Sequence, residues 1–158
     1  MPIASPRRRR TQPRLRAWRA RALLLERLED RTLPSASPLS SAPLLTFSAI
    51  DTAHAAGRIA VADGFDLYRV NLGAGDVVAA TVSAQASGSG LQSVLRVFDS
   101  AGRPLALEDQ EGGDPSLAFQ APTADAYFVG ISSAGDDAYD PTNAGSGQGG
   151  ATTGAYAL

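Results

Sequence analysis

The chain has 158 residues and a formal net charge of −2, a length that holds one domain of about 100 residues with appendages and little more. It contains no cysteine, which excludes disulfides and thiolate chemistry, and no apolar run reaches the roughly 18 residues that a membrane helix needs. The small net charge hides a division: in residues 1–31 ten arginines face Glu26, Glu29 and Asp30, a balance of +7, and beyond them four arginines face thirteen acids, a balance of −9.

Residues 1–14 combine prolines with the block Arg7 to Arg10, leaving nothing to pack and much charge to repel, so a disordered basic tail is expected. Clustered guanidinium groups release counterions from phosphates, yet no aromatic residue is interleaved with the block and no nucleic-acid motif follows. Nucleic acid is therefore not an expected partner. From about residue 15 to 31 the pattern is helical, with Leu15, Trp18, Ala22 and Leu25 recurring at three or four residues and Pro34 beyond the end. Such a basic amphipathic helix suits a membrane surface or its own domain equally. As a secretion signal it is irregular, because the apolar centre is short and acids follow at once.

Within this segment Leu25, Glu26, Leu28, Glu29, Arg31, Pro34 and Ser35 resemble a short N-terminal motif of large extracellular proteins of planctomycete-type bacteria. The resemblance implies export or surface display, so residues 1–35 are expected to be a targeting segment. Residues 36–43, rich in Ser, Pro and Ala, read as an extended linker, and the folded domain is expected over 44–158.

Within that domain, Leu44 to Ile50 and Gly57 to Val61 are candidate strands. His54, the only histidine, lies between them. A Ser-His-Asp triad would have to use it, and no nucleophile elbow accompanies it. Asp66 to Leu72 places Leu67 on one face and Tyr68, Val70 and Leu72 on alternate positions around it; the "GAGD" turn then leads to Val77–Val82, which predicts a hairpin. Val94–Phe98 and Pro104–Leu107, joined by "DSAG", predict another, with Asp99 bonding its own backbone and Gly102 supplying positive φ. Leu117 and Phe119 alternate with Ser116, Ala118 and Gln120, Tyr127, Val129 and Ile131 alternate with Phe128, Gly130 and Ser132, and Tyr156 to Leu158 form a last strand. Eight strands with short connections and no β-α-β spacing predict an all-β fold: an antiparallel β-sandwich of Greek-key or jelly-roll type.

The order "DGFDLYRVNLGAGD", "VLRVFDSAGRPLALED", "SLAFQAPTADAYFVGIS" and "TGAYAL" resembles the bacterial pre-peptidase C-terminal domain over residues 60–158. Where that family usually has a small Ser-Gly-Thr turn before the tyrosine strand, this chain has Ala124 to Ala126. The resemblance implies a small sandwich that accompanies secreted enzymes or surface proteins and does no chemistry itself. Calcium binding by some relatives is a further implication.

Two loops carry enough oxygen ligands for calcium: Asp109, Glu111 and Asp114 beside two glycines, and Asp136, Asp137, Asp140 and Asn143 in the stretch before "GSGQGG". Neither spacing matches an EF-hand, and solvated carboxylates that discourage strand pairing are the favoured reading. Tyr139, in the same polar stretch, would either stack on a sugar or protein partner or pin the loop to the sandwich. The expectation is a non-catalytic, secreted or surface-located module for accessory binding or adhesion, with an extracellular protein or polysaccharide as partner. The alternative is a processing segment that assists export of a secreted peptidase and is then removed.

Overall fold

The protein is described by a computed structural model over residues 37–110 and 112–158. The expected basic tail, the expected helix at 15–31, the motif of Leu25 to Ser35 and Glu111 lie outside the described residues. Among the described residues no helix is long and apolar enough to cross a membrane.

Among the described residues eight strands follow a short helix, α1 (Pro38–Ser41): β1 (Ala56–Ile59), β2 (Phe65–Leu72), β3 (Val77–Thr81), β4 (Ser93–Phe98), β5 (Pro104–Glu108), β6 (Ser116–Gln120), β7 (Asp125–Ser133) and β8 (Gly154–Ala157). One layer is a four-stranded antiparallel sheet in the order β2-β7-β4-β5. The other consists of two ribbons, β3-β6 and β1-β8. They meet where Ser83 and Ala157 exchange backbone hydrogen bonds of 2.8 and 2.9 Å.

Alternation along the strands decides what each layer buries. Tyr68 and Val70 of β2, Leu95 and Val97 of β4, and Tyr127, Val129 and Ile131 of β7 point between the layers, against Val82, Leu91 and Leu117. The intervening residues Leu67, Phe98 and Phe128 form a second cluster with Tyr139 on the opposite face, with Leu39 and Ala42 packed against it. The four-stranded sheet is therefore covered on both sides. That explains why β4 is buried along its whole length and β7 from Tyr127 onward, since strands covered on both faces read as nearly continuous apolar runs.

The hairpin of β4 and β5 closes as its turn residues predict: Asp99 Oδ1 accepts from the N–H groups of Ala101 and Arg103, and Gly102 has φ 81°. The expected hairpin of Asp66–Leu72 with Val77–Val82 does not form. The turn is sound, with Gly73 N–H donating to Asp76 Oδ2 at 2.7 Å. However, β2 pairs with β7 and β3 with β6, because Gly75 N–H donates to Ala121 O and Ala121 N–H to Asp76 O, each at 2.8 Å. Those bonds fasten the turn to the end of β6, so it carries the chain between layers.

Leu44–Ile50 is likewise no strand. It touches β2 through one parallel bridge, Leu44 with Arg69, and then turns at Ser48 to Thr52. Nor is the 36–43 stretch extended throughout, since Pro38, with φ preset for a first turn, opens α1, and Leu39 and Ala42 join the outer cluster.

Candidate functional site

The loop that follows β7 contains most of the residues first considered as ligands, and it is spent on holding itself to the sandwich. Tyr139 is 2% exposed. Its ring stacks on Phe65 at 4.2 Å between centroids and tilts against Phe98 at 5.6 Å. Arg96 lies over both the Phe98 and Tyr139 rings, 4.5 and 4.6 Å from their centroids, and donates to Tyr139 O at 2.9 Å. Burial pushes the tyrosine hydroxyl well above its ordinary range, with the adjacent Arg96 charge opposing. A ring so enclosed cannot stack on an external sugar or protein: Tyr139 is the pin of its loop and not a recognition aromatic. The sequence carried a signal for this in Gly130, where the β7 alternation calls for a side chain and Tyr139 takes the space.

Asp136 is fully buried. Its Oδ1 accepts from Gln148 N–H at 2.9 Å, and its carbonyl accepts from Ser132 Oγ at 2.6 Å. Oδ2 has no partner and, like Asp63 O, lies against Gly147, which has no side chain to clash with either. Burial holds this carboxyl above its ordinary range; the Gln148 N–H and Arg96 oppose that, and the charges of Asp63 and Asp137 reinforce it.

Asp137 and Asp140 are exposed. Asp140 Oδ1 accepts from Thr142 N–H and Thr142 Oγ1 at 2.8 and 2.7 Å, bonds that lower its pKa, and Asn143 Oδ1 accepts from Gly145 N–H at 3.2 Å. In the other acidic loop Asp109 is exposed, while Asp114 accepts from Gln85 and Ala86 N–H at 2.8 and 3.0 Å, capping the 3₁₀ turn Gln85–Ser87. Partial burial raises the Asp114 pKa, but the N–H groups of Ala86, Gln85 and Ala84 outweigh it and hold the carboxyl below its usual value. Among the described residues no three acidic or histidine side chains converge as a metal ion requires.

A different feature is open to ligands. Among the described residues the two ribbons of the second layer share one bridge, between Ser83 and Ala157. Beside that bridge lies a cleft of about 360 Å³. Val70 and Val129 of the four-stranded sheet form its floor, Val78 and Ala79 of β3 one wall, and Leu45 and Phe47 the other. Phe47 is 40% exposed, and Ile50, on the same turn, 79%. Asp51, Thr52 and His54 complete the rim. His54 is exposed and makes no side-chain hydrogen bond to a described residue, so among the described residues it is paired with no nucleophile. Sequence reasoning missed the cleft because it took Leu44–Ile50 for a strand and β2 and β3 for neighbours, an arrangement that leaves no gap.

A polar seam joins β8 to β2. The Tyr156 hydroxyl donates to Asp66 Oδ2 and lies 2.9 Å from the Tyr68 hydroxyl. Burial, followed by the hydrogen bonds to Asp66 and Tyr68, raises the Tyr156 pKa far above the ordinary range. The seam passes so close to Gly57 that no Cβ fits there.

No family model matches the sequence, and no curated protein matches it significantly. Solved structures do match. The pre-peptidase C-terminal domain of the Bacillus anthracis collagenase superposes with a TM-score of 0.50 at 15% identity, over 74% of this chain and 91% of that domain. A periplasmic inhibitor of g-type lysozyme from Aeromonas hydrophila, PliG, gives 0.43 at 14% identity, over 73% of this chain and 92% of that one. None of these comparisons supports the N-terminal resemblance to planctomycete-type extracellular proteins. The described chain has the antiparallel sandwich fold of the pre-peptidase C-terminal domain.

Proposed function

We propose that this chain is a non-catalytic accessory module that works outside the cytoplasm and holds a macromolecular partner through the cleft between its two ribbons. The observation that carries the reading is the pairing of an open, mostly apolar cleft with exposed Phe47 and Ile50 at its mouth. Apolar concavities with a few polar groups at the rim are the usual form of a binding site. In support, the remaining polar side chains of note are engaged in turns and seams: Asp114, Asp140, Asp66 and Tyr156 all have partners within the fold. The fold shared with a domain of a bacterial collagenase is consistent with an exported module, and the N-terminal string Leu25 to Ser35 supplies a candidate address.

The test is the location of the full-length chain in its own cell. Intact cells are treated with an added protease, and the cytosolic and external fractions are probed for the sandwich. The reading expects the protein in the external or envelope fraction and accessible to the protease. Recovery of folded chain only from the cytosol would overturn it.

A further inference from the structure

We infer that a second, polar groove on the outer face of the β1-β8 ribbon binds an acidic saccharide, seating a uronate carboxylate on Arg58 and sugar hydroxyls on Ser87, Ser89 and the backbone of Ala155. This site is separate from the apolar cleft and goes beyond the reading of it.

The groove has a volume of about 570 Å³ and runs between β8 and the segment Ser83 to Gly90. Its origin is a ladder that the chain itself interrupts. Ser83 and Ala157 exchange both backbone hydrogen bonds, and residues two apart in an antiparallel strand direct their N–H and C=O groups to the same side. Those of Ala155 therefore point toward the segment that holds Ser83. The residue that would meet Ala155 in that register is Gln85. It instead opens the 3₁₀ turn Gln85–Ser87, where Asp114 accepts from the N–H groups of Gln85 and Ala86. Among the described residues the backbone groups of Ala155 thus have no backbone partner, and they line the groove.

The side chains around them supply hydroxyls and a charge of one sign. Arg58 stands opposite Ala155 in the ribbon, and both are exposed on its outer face. No acid lines the groove, although the chain beyond residue 31 carries four arginines against thirteen acids. A guanidinium matches a carboxylate with two parallel hydrogen bonds. Across from it, Ser87 Oγ lies 3.0 Å from Ser83 Oγ, and Ser89 Oγ accepts from Leu91 N–H at 3.3 Å. Each hydroxyl keeps further bonding capacity, and Thr153 adds another on the same rim. The ligand class follows from this lining. Hydroxyls and a peptide group both donate and accept, as the hydroxyls of a sugar do. The apolar lining is limited to glycines, two alanines and the buried Tyr156, so a peptide would find no pocket for an apolar anchor.

The test uses the full-length protein at about 0.15 M salt, where long-range attraction to the basic N-terminal segment is screened. The probes are a galacturonate hexamer, its methyl ester, which keeps the ring hydroxyls and loses the charge, and hexaglutamate, which keeps the carboxylates and loses the sugar. Affinity is measured by calorimetric titration, and the site by NMR shifts of backbone N–H groups. The proposal expects saturable binding of the galacturonate hexamer with shifts at Ser89, Gly90 and Ala155, and binding at least fivefold weaker for each of the other two probes. Arg58→Gln is expected to weaken binding at least fivefold. Ala155→Val, which narrows the groove without removing a charge, should do likewise. Arg103→Gln, at an exposed arginine outside the groove, should leave binding unchanged. An unaltered amide spectrum away from the groove checks the fold of each variant. No saturable binding of the galacturonate hexamer, shifts confined to residues 1–35, equal binding of the methyl ester or of hexaglutamate, or undiminished binding by Arg58→Gln would each overturn the proposal.

Discussion

The hydroxyl end of Tyr139 occupies the space that a side chain at Gly130 would need, so the loop after β7 and the centre of the four-stranded sheet are fitted to each other at one point. Phe98 and Leu67 close around the same position, within 3.0 and 3.2 Å of where a Cβ would stand. Gly130→Ala is therefore expected to cost about 1–3 kcal/mol, the range for overpacking a close-packed core. Urea unfolding monitored by tyrosine fluorescence checks the value. Tyr139→Phe should act in the opposite direction, because the buried hydroxyl completes no hydrogen bond although Arg96 lies against the ring. Removing an unsatisfied polar atom is expected to gain about 1 kcal/mol. The two substitutions should also couple in a double-mutant cycle, since both change the same contact.

Asp136 predicts a pH signature of definite sign. Its pKa is raised in the folded chain above the ordinary carboxylate value, chiefly by burial. The native state then holds the proton more tightly than the unfolded state, so the charged carboxylate costs stability at neutral pH. That cost is relieved as pH falls through the raised folded pKa, and fully so below the unfolded value near 3.9. Asp114 and Asp140, whose pKa values are lowered, run the other way, so the signature is read from a difference. Asp136→Asn keeps an acceptor for Gln148 N–H and removes the charge that burial disfavours. It is expected to be more stable than the native chain at pH 7, by about 1 kcal/mol, with the advantage shrinking toward pH 4. An advantage that is constant from pH 4 to 8 would contradict the assignment.

The polar seam between β8 and β2 should be costly to break from the middle. Tyr156→Phe removes the donor to Asp66 and the partner of the Tyr68 hydroxyl in one step, leaving polar atoms half-buried and unpaired. A loss of about 1–3 kcal/mol is expected, measured by thermal melting. Tyr68→Phe should cost less, since the Tyr156 bond to Asp66 survives it.

Chelation offers a separate check on the acidic loops. Asp114 and Asp140 are each committed to neighbouring N–H or hydroxyl donors, and no three such groups converge among the described residues. A native-state metal site would raise stability by about 2.7 kcal/mol at a hundredfold excess of ion over Kd. We expect the melting temperature to be the same in excess calcium and in excess chelator.

Much of the sandwich was legible because alternation and turn chemistry are local. The opposed faces of Leu67 and Val70, the turn at Asp99 and Gly102, and the last strand around Tyr156 all follow from residue types within a few positions. Pairing partners are not local. The turn at Gly73–Asp76 has the same chemistry whether it closes a hairpin or crosses between layers; the choice is made by Ala121, some 45 positions away. Tyr139 was ambiguous for a related reason: its polar neighbours describe the solvent side of the loop, while its fate depends on Gly130, Phe65 and Arg96. The cleft was invisible altogether, since its lining brings together Leu45, Val70, Val78 and Val129 from segments far apart in sequence.

The measurement that bears most directly on the central claim is residue-resolved amide exchange of the full-length chain without ligand. The account predicts alternation along β3: slow exchange at Val78 and Ala80, whose N–H groups face β6, and fast exchange at Ala79 and Thr81, whose N–H groups face the cleft. Equally slow exchange at all four positions would mean that this edge of β3 is already paired, and the open cleft on which the proposed binding role rests would not be open.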